Sequence, residues 1–155
     1  MNINSIYELL CEDLSREYSH WNFYLQSATS IKGLNRLEIG EFLLEQAQEE
    51  MKHVEEFKRL LHGINVRRNL EKEVPTKIAK FNSELTDSVQ ILEEALKMED
   101  QVVSNYVQRI NDACKLQENG SEDEIDGKYI ELFLEDQILD SRKDADNIRM
   151  MLSLS

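Results

Sequence analysis

The sequence is poor in helix-breaking residues, in cysteine and in long apolar runs. Its 155 residues include five glycines and one proline, and this scarcity favours helix over sheet. No run of about eighteen apolar residues is present, so we expect no membrane-spanning helix. The N-terminal stretch MNINSIYELL lacks the basic and apolar regions of a secretory signal. The cysteines, Cys11 and Cys114, follow no metal-ligand spacing and are expected to be reduced thiols of a cytoplasmic protein.

Basic clusters are also missing, although charged residues are abundant. The chain carries 31 acidic residues against 18 Lys and Arg, for a net charge of −13. Without a basic surface that could track phosphates, we expect no binding to nucleic acid. An acidic balance favours solubility and attracts cations, although it is also typical of an ordinary solvated helical surface.

Periodic apolar residues predict four long helices in a single domain that spans residues 1–155. The predicted helices cover about 5–32, 37–62, 84–117 and 127–152, and three of them end at or near Gly33, Gly63 and Gly120. Ser5 with Glu8, and Asn35 with Glu38, resemble capping boxes at the starts of the first two helices. Roughly twenty residues separate the second helix from the third, which is long enough to run the length of a bundle. The third helix would then start at the same end as the second.

Each predicted helix has an apolar face that polar residues interrupt near its middle. The interruptions are Glu17 in the first helix, Glu50 and His53 in the second, Glu99 in the third, and Gln137 and Asp140 in the fourth. In an antiparallel bundle the middles of all four helices lie at one height, so these side chains should converge. Ionised carboxylates are costly in a dry core, and two divalent cations would neutralise the four acids. Carboxylates with an imidazole suit iron or manganese, and less commonly zinc.

Each part of this pattern also has a simpler interpretation. A lone Glu-x-x-His in a helix is weak as a metal motif, and a single Glu on an apolar face often reaches solvent. Asp140 and Asp144 could be solvated charges on an acidic helix face, and Trp21 and Tyr24 could be plain core aromatics. The metal hypothesis therefore depends on the four interruptions occurring at matching heights.

Taken together, the motifs resemble those of the ferritin family over nearly the whole chain. LSREYSHWNFYLQ resembles the first-helix segment in which a Glu is followed seven residues later by a Tyr, here Glu17 and Tyr24. EEMKH resembles the second-helix motif of bacterial ferritins and bacterioferritins, and ALKMEDQ resembles the third-helix stretch that carries a further Glu. LEDQILD resembles the fourth-helix pattern of a Gln followed three residues later by an acid. The resemblance implies an all-α, ferritin-like four-helix bundle with a long crossover between the second and third helices.

The resemblance also implies a diiron ferroxidase centre. Carried over by position, one iron would take Glu17, Glu50 and His53. The other iron would share Glu50 and take Glu99, with Asp140 and Gln137 as further candidates. Tyr24 would lie nearby as an electron donor, and Glu49 and Asp136 match positions that form a third, transient iron site in bacterial ferritins.

Several positions depart from the family pattern. Gln137 and Asp140 stand where bacterioferritins have a second Glu-x-x-His, so the second iron position is expected to be weaker or more labile. Leu139 stands where bacterial ferritins often carry another acid. Met51 matches the haem-ligating Met of bacterioferritins, but haem-free ferritins also have Met there, so we expect a packed Met and no haem. No counterpart of the short fifth ferritin helix is present, which leaves the number of subunits in a shell open.

These features predict an iron storage and detoxification protein of the cytoplasm. It would oxidise Fe(II) to Fe(III) with O2 or H2O2 and form a homo-oligomeric, hollow shell, without nucleic-acid or membrane partners. One alternative is a diiron or dimanganese oxidase or peroxide scavenger that does not store iron, although a rubredoxin-like segment with four metal-binding cysteines is missing. Another is a metal-binding bundle or miniferritin-like shell in which the metal is structural.

Overall fold

Four long helices make up most of the described part of the chain, residues 1–76 and 79–153 of a computed structural model. They are α1 (Ile3–Ser30), α2 (Arg36–Arg68), α3 (Ser88–Gln117) and α4 (Ser121–Leu152). Over these described ranges the structure has no β-strand, and Lys32 and Asp87 form an isolated bridge. None of the helices described is both long enough and apolar enough to cross a bilayer. The predicted all-α class is confirmed.

The starts of the first two helices differ from the predicted capping boxes. The N-cap of α1 is Asn2, whose Oδ1 accepts a hydrogen bond of 2.8 Å from the backbone N–H of Ser5. Ser5 therefore lies inside the first turn and is not the cap, because the Asn2 side chain already satisfies one of the free N–H groups there. Asn35 is the N-cap of α2 as predicted, but its side chain makes no capping hydrogen bond within the described residues.

Two glycines predicted at helix ends lie inside helices. The second helix continues through Gly63 to Arg68 and ends at Asn69, whose φ of 54° is left-handed. The fourth helix begins at Ser121, so Gly127 lies within it. A Cβ at Gly127 would lie 2.7 Å from the backbone oxygen of Ala113, so glycine at this position permits close packing of α3 against α4 and does not mark the start of the helix.

The connection between α2 and α3 runs alongside α1. Helix α1 packs mainly against α2, and α3 mainly against α4, while residues 69–87 join the two pairs. Hydrogen bonds to α1 and the residues after it follow the path of this connection: Tyr7 Oη to Glu73 O (3.1 Å), Ser19 Oγ to Ala79 O (2.8 Å) and Lys32 N to Thr86 O (2.9 Å). The crossover therefore spans the length of the bundle, as predicted.

The core consists of two apolar clusters with polar side chains between them. One cluster contains Leu10, Leu14 and Phe57, and the other contains Phe23 and Leu43. Along α1 and α2 the buried residues between the clusters are polar or charged. Members of this polar layer from all four helices are Glu17, His20, Glu50, His53, Glu99, Gln137, Ser141 and Asp144. The interruptions read from the sequence thus lie in this buried layer, except Asp140, whose side chain is 46% exposed.

Candidate metal centre

Three helices place four of the predicted metal ligands in the polar layer. Glu17 comes from α1, Glu50 and His53 from α2, and Glu99 from α3, and none of them is more than 2% exposed. Glu50 and His53 share one face of α2 because they are three residues apart. Apolar residues one or two helical turns away on the same faces pack into the core. The carboxylates and the imidazole therefore point inward as well.

Glu17, Glu50 and His53 form a compact group. The Nδ1 atom of His53 lies 3.4 Å from Glu50 Oε2 and 3.8 Å from Glu17 Oε2. One ligand atom from each residue can be chosen so that all lie within 4.8 Å of one another. An imidazole nitrogen with carboxylate oxygens at this spacing is a donor set that suits a divalent transition metal.

Unpartnered oxygen atoms are the strongest sign that the group fits a cation. The Oε2 atoms of Glu17, Glu50 and Glu99 are buried and have no hydrogen-bond partner among the described residues. Buried polar atoms in proteins are nearly always hydrogen-bonded, and exceptions require an explanation such as a bound ion. Buried carboxylates with free lone pairs that converge from three helices therefore fit metal binding well.

Two tyrosines hold the opposite oxygens of these carboxylates. The hydroxyl of Tyr24 donates a hydrogen bond of 2.8 Å to Glu99 Oε1, and the hydroxyl of Tyr106 donates to Glu17 Oε1. In both glutamates the other carboxylate oxygen, Oε2, is the one without a hydrogen-bond partner among the residues that the structure describes. Sequence reasoning placed Tyr24 near the centre and assigned no role to Tyr106. Its spacing of seven residues from Glu99, which puts both on one helix face, was the available signal.

Crowding of the acids raises their pKa values. Burial, followed by the charge of Glu50, raises the pKa of Glu17 well above its ordinary range. Burial also raises the pKa of Glu50 well above its ordinary range. Burial and then the charge of Asp144 raise the pKa of Glu99 to about 8. A divalent cation among these oxygens would stabilise the ionised forms that burial and mutual repulsion disfavour.

The predicted ligands on α4 are arranged differently from those on the other helices. Asp140 Oδ2 lies 3.2 Å from His53 Nε2, and 46% of the Asp140 side chain is exposed. Gln137 is buried, and its Nε2 donates a hydrogen bond of 2.9 Å to Glu56 Oε2. The remaining atom of that amide, Gln137 Oε1, has no partner within residues 1–76 and 79–153. Gln137 is thus tied to α2, and Asp140 contacts the outer nitrogen of the His53 ring.

Of the two residues predicted for a third site, Glu49 belongs to a possible ligand group and Asp136 does not. Glu49 groups with His53 and Asp140, with ligand atoms within 4.8 Å of one another. Asp136 is exposed and is not part of this group. Burial opposes protonation of His53, but the negative charge of Glu17 and the contact with Asp140 raise its pKa above the ordinary value. We call Glu49, His53 and Asp140 the outer group. Its Asp140 lies on the Nε2 side of the His53 ring.

Asp144 is a further residue of the polar layer, and sequence reasoning left its role open. It is 4% exposed, so the interpretation as a solvated surface charge is wrong. Burial and the neighbouring Glu49 raise the pKa of Asp144 to about 7. Its Oδ2 atom is buried and without a hydrogen-bond partner in the described chain. The signal in the sequence was its position four residues after Asp140, on the same face of α4.

Met51 lies on the outer face of the bundle. It is 56% exposed, so the expectation of a packed methionine is wrong for the isolated chain. Met51 follows Glu50, which points inward, and adjacent helical residues point in different directions. Together with Tyr18, Trp21 and Val54 it lines a groove of about 530 Å³ between α1 and α2.

Comparisons with known proteins agree with this fold. The chain is similar to a ferritin-like, diiron-carboxylate protein from Bacillus anthracis str. Ames, with a TM-score of 0.78, 21% sequence identity, and coverage of 98% of this chain and 99% of that one. It is also similar to a variant of PmFTN soaked in iron overnight, with a TM-score of 0.71 and 15% identity over 97% of this chain and 87% of that one. A dodecameric thioferritin from Bacteroides fragilis matches with a TM-score of 0.58 and 18% identity over 97% and 90% of the two chains. A search of curated proteins gave no significant match.

Membership of a family follows from the sequence match and not from these structural likenesses, whose low identities show the fold alone. The model of the ferritin-like domain matches residues 7–152, which include nearly all of α1, all of the other three helices and every residue of the polar layer named above. The observed bundle with its long crossover agrees with that match. The chain therefore belongs to the family of ferritin-like domains.

Proposed function

We propose that this protein binds two Fe(II) ions in the polar layer, oxidises them to Fe(III) with O2, and stores the product within a homo-oligomeric shell. The observation that carries the proposal is the set of unpartnered, buried carboxylate oxygens of Glu17, Glu50 and Glu99 beside His53 Nδ1. An acidic core of this kind is costly for a purely structural bundle. The iron-soaked PmFTN structures of the same fold support the choice of iron.

Each ligand has a role in this proposal. Glu17, Glu50 and His53 would hold the first Fe(II), with the imidazole bound through Nδ1. Glu50 would also share a second Fe(II) with Glu99. Hard oxygen ligands stabilise Fe(III) more than Fe(II), which favours the oxidation. Two adjacent Fe(II) ions can supply two electrons together, which with two protons reduce O2 to hydrogen peroxide.

Tyr24 and the outer acids would support this reaction. The Tyr24 hydroxyl bonds Glu99 Oε1, so it is close enough to the second metal position to act as an electron donor. Glu49 and Asp140 belong to the outer group, and we propose that their carboxylates, without His53 Nε2, hold iron transiently. The exposed Asp136 would at most attract Fe(II) towards it through its charge.

The outer face of the subunit supports assembly with other copies. The groove lined by Tyr18, Trp21, Met51 and Val54 exposes apolar surface between α1 and α2. Exposed apolar patches on a protein surface often mark sites of contact with other proteins. The dodecameric thioferritin shows that a protein of this fold can assemble.

The oxidation proposal is tested by adding Fe(II) to the metal-free protein in air. We expect a ferric absorbance that rises much faster than in buffer. Glu50→Ala removes the bridging ligand and should bring the rate close to the buffer value, while Glu45→Ala, at an exposed position on the same helix, should behave as wild type. Unchanged kinetics in Glu50→Ala would contradict the proposal.

Storage and assembly need separate measurements. Particle mass by light scattering should be many times that of one chain, and iron-loaded particles should retain ferric mineral through size exclusion. A monomer or dimer that consumes peroxide without forming mineral would instead support the alternative of a peroxide-scavenging oxidase. Manganese or iron content of protein purified from its native cells would then identify the metal used.

A further inference from the structure

Two acids of α4, Asp140 and Asp144, are candidates to complete the second metal position. They are four residues apart and lie on the same face of the helix, but their surroundings differ. Asp144 is 4% exposed, whereas 46% of the Asp140 side chain is exposed. The difference matters because a buried carboxylate requires a compensating charge and a half-exposed one can be solvated by water.

Asp144 lies in the same buried layer as the metal ligands of the other helices. Its Oδ2 atom is buried and has no hydrogen-bond partner in residues 1–76 and 79–153, in the same way as the Oε2 atoms of Glu50 and Glu99. After burial, the negative charge of Asp144 is the largest influence on the pKa of Glu99, and it also acts on Glu50. Glu49, His53 and Asp140 in turn influence the pKa of Asp144.

Asp140 lies on the other side of the histidine. Its Oδ2 contacts His53 Nε2 at 3.2 Å, while Nδ1 of the same ring faces Glu17 and Glu50. A carboxylate that accepts a hydrogen bond from Nε2–H fixes the ring orientation and leaves Nδ1 unprotonated for a metal. The geometry of Asp140 is therefore that of a group that orients the histidine ligand.

Charge balance distinguishes the same two residues. Glu17, Glu50, Glu99 and Asp144 are the carboxylates of this layer that are at most 4% exposed, and their four negative charges equal the charge of two divalent cations. If Asp140 were the ligand instead, the buried Asp144 would remain as an uncompensated acid beside the centre, which is costly.

We propose that Asp144 is the α4 ligand that completes the second metal position with Glu50 and Glu99, and that Asp140 is a positioning residue for His53. The inference rests on the proposed function, because it requires that metal binds in the polar layer. It departs from the sequence-based expectation, in which Asp140 and Gln137 supplied the α4 ligands.

The test is anaerobic titration of the metal-free protein with Co(II), followed by visible absorption and equilibrium dialysis. Wild type should bind two Co(II) ions per chain. Asp144→Asn should keep the first ion with unchanged affinity and bind the second at least about tenfold more weakly. Asp140→Asn should keep the second ion and weaken the first by about tenfold, the scale of effects at residues that orient a ligand. Asp146→Asn, at an exposed position on α4, should match wild type.

The outcomes separate this inference from the proposed function. If wild type binds no Co(II), the proposed function and the inference both fail. If wild type binds Co(II) and Asp144→Asn binds it equally well, or if Asp140→Asn loses the second ion, the inference alone is overturned. Anomalous diffraction from Co(II)-soaked wild-type crystals gives an answer that needs no variant: the second ion should lie beside the Asp144 carboxylate, and a position beside Asp140 would refute the assignment.

Discussion

Replacing Glu99 by Gln should stabilise the metal-free protein at neutral pH and weaken its response to metal. The side chain is buried, accepts the Tyr24 hydroxyl through Oε1, and has an unpartnered Oε2. An amide has nearly the same shape, can accept the same hydrogen bond, and cannot ionise. The variant therefore removes a buried ionisable group without leaving a cavity.

The size of the effect follows from the pKa of Glu99. Burial, and next the charge of Asp144, raise that pKa from 4.5 to about 8, so the folded protein retains a proton that the unfolded chain has already released. Stability linked to this proton is fully present below pH 4.5 and is lost as the pH rises towards 8. Each pH unit corresponds to about 1.4 kcal/mol, so by pH 7 the loss is about 3 kcal/mol. Glu99→Gln should avoid this loss at pH 7 and gain little at acid pH.

The assay is urea unfolding of metal-free protein, with a chelator present, at acid and at neutral pH. The free energy of unfolding should differ between Glu99→Gln and wild type by about 3 kcal/mol at neutral pH and much less near pH 4.5. Glu93→Gln, at an exposed position on the same helix, controls for the chemical change alone. Anaerobic addition of Co(II) should then stabilise wild type more than Glu99→Gln.

A single result would refute the electrostatic reasoning. If the stability difference between Glu99→Gln and wild type is the same at both pH values, or equals that of the Glu93→Gln control, then Glu99 carries no buried charge that needs compensation. The metal hypothesis would lose its physical basis in that case, because its premise is that cations relieve the repulsion among buried acids.

Three further predictions concern packing and buried polar contacts, each read as a free energy of urea unfolding. Gly127→Ala should destabilise the protein by about 1–3 kcal/mol, because the added Cβ would lie 2.7 Å from a backbone oxygen of α3. Gly63→Ala should stabilise it by up to about 1 kcal/mol, because the added Cβ would contact only the flexible end of the Arg67 side chain. Arg109→Met should cost about 3–5 kcal/mol, because the buried Asp13 loses its 2.8 Å partner, and adding Asp13→Asn should recover part of the loss. Tyr24→Phe should cost about 1–3 kcal/mol by removing the donor to Glu99 Oε1.

Each of these predictions has a result that would contradict it. Equal tolerance of alanine at the two glycine sites would show that α3 and α4 do not pack as closely as described. A double variant no more stable than Arg109→Met would show that the loss of the Arg109 contact at Asp13 is not the source of the cost. Wild-type stability in Tyr24→Phe would mean that the Glu99 carboxylate does not depend on its tyrosine partner.

The sequence was sufficient for the helices and for most of the polar layer, because both depend on periodicity. Apolar residues at helical spacing predict which face is buried whatever the partner, so Glu17, Glu50, His53 and Glu99 could be located as breaks in that face. The helix ends were less predictable. Gly63 resembles a stop signal by residue type, but α2 continues past it and ends at Asn69, because local propensity is weak compared with packing along a long bundle.

Only the tertiary structure could distinguish among the acids of α4. Asp140 and Asp144 are equivalent in spacing, and the resemblance to ferritins favoured Asp140 with Gln137. The rotation of α4 against its neighbours decides that Asp144 is buried among the acids while Asp140 is half-exposed behind His53. Sequence spacing determines which residues share a helix face, but it does not determine how that face is rotated relative to three other helices. Rotation depends on side-chain packing across the whole core. The rotation of α4 therefore determines which of its carboxylates are buried and which are solvated.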